Sequence, residues 1–138
     1  MLNSRKISDL NPKVAAMCRE FIEKCMAEGI EIVITSTYRD NESQAALYAQ
    51  GRTAPGKVVT KAKPGQSYHN HRVAFDFAPI QNGKIDWNNL DLFTCCGEIA
   101  ESVGLEWAGR WQRMRELAHC QYTGGLTIAQ LNKGAILA

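Results

Sequence analysis

The chain is poor in histidine, with three in 138 residues, and it has only four prolines. No stretch approaches the roughly 18 consecutive apolar residues that a membrane-spanning helix needs. The first residues, MLNSRKISDLNPKV, contain no apolar core of the kind a secretory signal requires. No membrane association and a cytoplasmic start are therefore expected. The five cysteines are odd in number and form no CxxC pair, which argues against a disulfide framework. Cys18, Cys25, Cys95 and Cys96 fall in helical patterns and read as buried small hydrophobes. The formal charge is only +2 and there is no long Lys/Arg run, so a nucleic-acid partner is not expected. Internal repeats and low-complexity tracts are absent as well. What remains is an ordinary soluble balance, 45% apolar and 22% charged, in one domain spanning 1–138. No separate binding domain is visible within it.

The order of elements follows from punctuation and period. Asn11-Pro12 caps and starts a helix whose apolar positions are Val14, Cys18, Phe21, Ile22, Cys25 and Met26, closed by Gly29. Ile30–Thr37 is a β-branched run that reads as a buried strand, with Tyr38 and Arg39 at its end. Asn41 with Gln44 has capping-box spacing for a second helix through Gln50. The segment 52–66 holds two Pro-Gly pairs and Lys57, Lys61 and Lys63, and has no period. A loop of that length is either functional or a mobile surface insertion. Val73–Ile80 reads as a second strand and Asn82-Gly83 as a turn. A third helix is expected from Trp87 to Val103, capped by Asp86, with Leu90, Phe93, Ile99, Ala100 and Val103 buried. Leu105–Trp107 and Leu117–Tyr122 are short strands, and Thr127 with Gln130 starts a last helix. Helices and strands mix without a βαβ rhythm, which makes the class α+β.

Two of the three histidines sit close to an aspartate in Ser67–Phe77, SYHNHRVAFDF. Imidazole nitrogen and carboxylate oxygen both suit Zn²⁺. His69 and Asp76 can meet only if the chain bends between them, and Asn70–Arg72 can supply that bend. In the following strand Ala74, Asp76 and Ala78 share one face, opposite Val73, Phe75 and Phe77. Spacing alone leaves a second reading open, in which Asp76 is a half-exposed sheet residue and the histidines lie on a surface loop. The remaining histidine is His119, three residues after Glu116. A catalytic zinc site needs three protein ligands, an open position for water and a nearby carboxylate to take a proton. His119 can be the third ligand and Glu116 the base. A core histidine beside a structural glutamate is the alternative. Cys120, next along the strand, points away from such a site.

These residues resemble those of the zinc peptidases of the D-Ala-D-Ala carboxypeptidase and hedgehog type. SYHNHRVAFD is similar to their S-x-H-x-x-G-x-A-x-D signature, and Glu116–His119 to the acidic-x-x-His pair that completes the site. TSTYRDNESQAALYAQGRT resembles the segment ahead of the signature. KIDWNNL and HCQYTGGLTIAQL resemble parts of phage and prophage L-alanyl-D-glutamate endopeptidases used as endolysins. The resemblance runs from about Leu10 to Gly134, and it implies a small antiparallel sheet with flanking helices. It also implies that His69, Asp76 and His119 bind zinc, that Glu116 is general base and proton donor, and that Arg39 binds or polarises the substrate. Ser67 would hydrogen-bond within the site or to substrate, and His71 matches no ligand.

The substrate implied is the peptidoglycan stem peptide, cut by a monomer that leaves the host bacterial cytoplasm by a holin-type route. Lys57, Lys61 and Lys63 are candidate attractors for its carboxylates, or simply solvated loop residues. Two other functions remain open: a D,D- or L,D-carboxypeptidase, and a non-catalytic zinc module that binds the wall. The chief departure is Arg72, which stands where the signature has glycine. If that position has positive φ, arginine costs about 1 kcal/mol there. Ala118, Cys120 and Arg110 also depart from the pattern, without removing a ligand or the base.

Overall fold

The computed structural model describes residues 1–137. Four helices surround one antiparallel sheet: α1 Pro12–Ala27, α2 Asn41–Ala49, α3 Leu90–Ser102 and α4 Ile128–Asn132. The strands are β1 Glu31–Ser36, β2 Ala74–Gln81, β3 Lys84–Ile85, β4 Glu106–Trp107 and β5 His119–Gln121. Their order is β1-β2-β5-β4, with β3 folded back on the end of β2. The expected α+β sheet with flanking helices is therefore present.

Strand β2 is the centre of this arrangement because its two faces differ. Phe75 and Phe77 point into the core, where Phe21 of α1 meets Phe77 edge-on at 5.1 Å. Val14, Cys18 and Cys25 of α1, Phe93, Cys96 and Ala100 of α3, Trp107 and Cys120 complete that core. Burying a Phe or Val side chain of this kind contributes about 1.5–3 kcal/mol each. Gly97 lets α3 lie flat on Trp107, since a Cβ there would come within 2.1 Å of the indole ring. The opposite face of β2 carries Asp76, which pairs with Ser36 of β1 on one side and His119 of β5 on the other. The β1 register slips between Ile34 and Ser36, beside that aspartate.

Several local expectations are corrected. Helix α2 is capped by Asp40, whose carboxylate accepts from Ser43 N–H at 2.7 Å, and not by Asn41. Helix α3 starts at Leu90 behind an Asn89 cap, three residues later than Asp86-Trp87 implied, because Asp86 is spent on a turn with Asn88 N–H. Leu90 and Met26 are exposed, and so is Cys95, the one helix cysteine outside the core. Strand β1 is only half-buried, as an edge strand is. The segment 52–66 carries no helix or strand, as its composition requires.

Candidate metal centre

The bend demanded between His69 and Asp76 is one turn of 3-10 helix, Tyr68–His71. Ser67 caps it: its Oγ accepts from His69 N–H at 3.2 Å. Asn70 Oδ1 returns the favour to Ser67 N–H at 3.1 Å. The Asn70 amide also donates to the Arg39 carbonyl at 2.8 Å, while Arg39 N–H donates to the His69 carbonyl at 3.2 Å. The histidine turn and the arginine segment are thus one hydrogen-bonded unit. Arg72 ends the turn in the left-handed region, with φ 65 and ψ 21. This is the conformation for which glycine is the usual residue. Here the guanidinium lies 3.8 Å from the Tyr38 ring centre and donates to the Asp9 carbonyl at 2.8 Å.

Three of the residues singled out in the sequence converge. His69 Nε2 and His119 Nδ1 each lie 3.2 Å from Asp76 Oδ1. All three ligand atoms fall within 4.8 Å of one another. Both histidines are buried, with the rings 5.1 Å apart. Glu116 stands at the rim, Oε2 3.7 Å from His119 Nδ1, with its side chain 57% exposed. Arg39 lines the same cleft, which has a volume of about 540 Å³. His71 is not gathered in; its Nε2 meets the Gly65 carbonyl at 3.2 Å.

The far side of each ring decides what the near side can hold. His69 Nδ1 is 2.9 Å from the Thr37 carbonyl, which can only accept, so the proton sits on Nδ1. His119 Nε2 donates in the same way to Gln121 Oε1 at 2.9 Å. In the neutral rings this leaves two nitrogen lone pairs and a carboxylate oxygen aimed at one point. Three acceptors this close repel unless a proton or a cation lies among them. The donor set fits zinc, and the outer partners are of the kind that orient zinc-bound histidines.

Without an ion, charge makes the same point. Burial raises the Asp76 carboxyl, but hydrogen bonds to His119 and His69 outweigh it and hold the group well below the carboxylate range. Burial lowers His119, yet the Asp76 hydrogen bond and charge, with Gln121 and Glu116, raise it above its usual value. Burial also lowers Arg39, partly offset by the charges of Asp76 and Glu116. An arginine remains a cation at neutral pH after any such shift.

Sequence reading missed the outer partners. Gln121 lies two residues from His119 on one strand, hence on the same face, and that alternation could have found it. Gln44 was expected to cap α2 and instead lies fully buried beside the site. Its Oε1 accepts from Arg39 Nη1 at 3.0 Å and its amide donates to the Ala62 carbonyl at 2.7 Å. Trp111, 5.7 Å from the His119 ring, had no signal.

Comparison with known proteins adds four findings. The family model described as D-alanyl-D-alanine carboxypeptidase, VanY, matches residues 7–124. The peptidoglycan L-alanyl-D-glutamate endopeptidase CwlK of Bacillus subtilis is 37% identical over 129 residues, covering 83% of this chain and 74% of that protein. The L-alanyl-D-glutamate peptidase of Listeria phage A118 is 30% identical over 124 residues, 88% of this chain but 40% of the phage protein. Among solved structures, the L-Ala D-Glu endopeptidase ChiX of Serratia marcescens superposes with a TM-score of 0.67 at 14% identity. That superposition covers 97% of this chain and 93% of ChiX, and it supports the fold.

Proposed function

Since this chain belongs to the D-alanyl-D-alanine carboxypeptidase family, we propose that it is a zinc peptidase that hydrolyses the L-alanyl-D-glutamate bond of peptidoglycan stem peptides. The observation that carries the zinc assignment is the convergence of His69 Nε2, Asp76 Oδ1 and His119 Nδ1, with both ring protons committed elsewhere. The choice of bond rests on the Bacillus relative, most of whose length this chain spans.

His69, Asp76 and His119 would hold the metal, which when bound lowers the pKa of a water to about 7 and polarises the scissile carbonyl. Glu116 takes a proton from the attacking water and gives it to the leaving amine. Its exposed carboxylate at the rim, 3.7 Å from His119 Nδ1, is suited to moving between those two positions. Arg39, a cation fixed by Gln44, faces the negative charge that develops on the carbonyl oxygen. Ser67 keeps the His69 backbone in place, and a further contact to substrate is part of the proposal.

The reading extends to a lytic enzyme of phage type, supported by the phage relative. Action as a single catalytic domain and a monomer, with holin-type release to the wall, belongs to the same proposal. No helix among the described residues is long and apolar enough to cross a membrane.

The test is mass analysis of a muropeptide digest, with and without a chelator. Fragments ending at L-Ala that disappear on chelation are expected. Release of terminal D-Ala alone would transfer the assignment to the carboxypeptidase activity that the family's description names.

A further inference from the structure

Beyond Glu116 the cleft opens into an annexe of about 250 Å³. Val58, Val59, Thr60 and Lys61 form one wall, and Met114, Arg115 and Glu116 the other. Val59, Thr60, Met114 and Glu116 also line the main cleft, so the two spaces adjoin. The annexe combines two features that are unusual side by side. Val58, Val59 and Met114 are large apolar residues left 53%, 55% and 57% exposed. Lys61 and Arg115 are cations that make no hydrogen bond or ion pair to any described residue.

Both walls are held in place. Thr60 Oγ1 accepts from Ala62 N–H at 3.1 Å, and the Ala62 carbonyl accepts from buried Gln44 at 2.7 Å, so Lys61 is bracketed by fixed backbone. Arg115 follows Met114, which adopts φ 53, a conformation that costs a non-glycine residue of order 1–2 kcal/mol. Glu116 N–H then donates to the Ala108 carbonyl at 3.3 Å. A strained residue held by its surroundings is a common device for placing a functional neighbour.

We propose that this annexe is the subsite for the free α-carboxylate of the D-glutamyl residue on the leaving side of the scissile bond, read by Lys61 and Arg115. The inference rests on the function proposed above. The leaving nitrogen that Glu116 protonates belongs to that glutamyl residue, and its α-carboxylate is attached one carbon away. A group bound there must lie next to Glu116, where the annexe begins. Glu116 and the substrate carboxylate are both negative before reaction, and two cations balance that pair. The apolar rim accepts the glutamyl methylenes.

The experiment compares two synthetic stem peptides, one with a free D-Glu α-carboxylate and one with that carboxylate as the carboxamide. They are assayed on the zinc-loaded protein and on the Lys61→Gln/Arg115→Gln double variant. Exposed charge contacts are individually modest, and two acting together give a wild-type preference of about tenfold in kcat/KM for the carboxylate peptide. The double variant loses that preference, its kcat/KM falling about tenfold more on the carboxylate peptide than on the carboxamide peptide. Raising salt lowers the wild-type preference, as screening requires. A double variant that cleaves at L-Ala–D-Glu with the preference intact overturns the subsite alone. Failure of the wild type to cut either peptide at that bond overturns the proposed function, and the subsite with it.

Discussion

Arg72 gives the sharpest test of the energetics, because one residue combines a backbone penalty with a side-chain gain. Its left-handed backbone costs about 1–2 kcal/mol relative to glycine. Against this stand its stack on Tyr38 at 3.8 Å and its hydrogen bond to the Asp9 carbonyl at 2.8 Å. At an exposed position these contribute about 0.5–1 kcal/mol each. Arg72→Gly removes the penalty and both contacts, and it adds about 0.5–1 kcal/mol of unfolded-chain entropy. The sum lies within about 1 kcal/mol of zero. Arg72→Ala keeps the penalty and loses both contacts, so it should be destabilised by about 1–2 kcal/mol. For a chain of this size that lowers the melting temperature by about 3–8 °C. Calorimetry of the three proteins in chelator, where metal affinity cannot contribute, should rank wild type and Gly together, with Ala below. An Ala variant as stable as wild type would refute the compensation. A Gly variant below Ala would show that the left-handed penalty is smaller here than the unfolded-chain entropy that glycine adds.

Three further outcomes follow from the site. Glu116→Ala should retain one zinc per chain by atomic absorption yet lose about 10²–10⁴-fold in turnover; undiminished hydrolysis would remove Glu116 from its role. Gln121→Ala should weaken zinc about 10–100-fold in chelator competition by freeing the His119 ring, a loss that Gln121→Glu should largely restore. In the metal-free protein His119 is raised above its unfolded value by Asp76 once burial is overcome. Its stabilisation is therefore complete below the unfolded value of about 6.5 and is lost as pH rises through the folded one. Asp76 is depressed, so its contribution is present above about 3.9 and fades as the solution is acidified below that. Melting temperature against pH should accordingly fall on both sides for the chelated protein, and Asp76→Asn should flatten the curve.

The legibility of the chain varied with the physics of each feature. Glycine and proline marked the ends of α1 and α3 correctly, because Gly29 and Gly104 sit at positive φ where few other residues are comfortable. The convergence of His69, Asp76 and His119 was legible because strand alternation and the need for a bend leave few ways to bring His69 and Asp76 together. Thr37 left no trace in sequence because its carbonyl, not its side chain, orients His69. Gln44 misled because capping-box spacing and a buried tertiary role look alike in one dimension, and Asp40 was the better cap. Cys95 and Leu90 were misplaced for different reasons: Cys95 lies on the side of α3 turned away from Phe93 and Cys96, whereas Leu90 shares the side of Phe93 but is exposed as the first residue of the helix. Arg72 was anticipated as a cost, but the ring and carbonyl that offset it come from segments distant in the chain.

The double use of the Gln44 amide has a mechanical consequence. One end holds the guanidinium of Arg39 and the other holds the backbone of the loop that walls the cleft. The wall cannot swing outward at Ala62 without tugging the guanidinium of Arg39. The seating of that wall and the placing of the guanidinium are therefore linked. On the role proposed for Arg39, that role is tied to the position of the wall through a single side chain that need touch neither substrate nor metal.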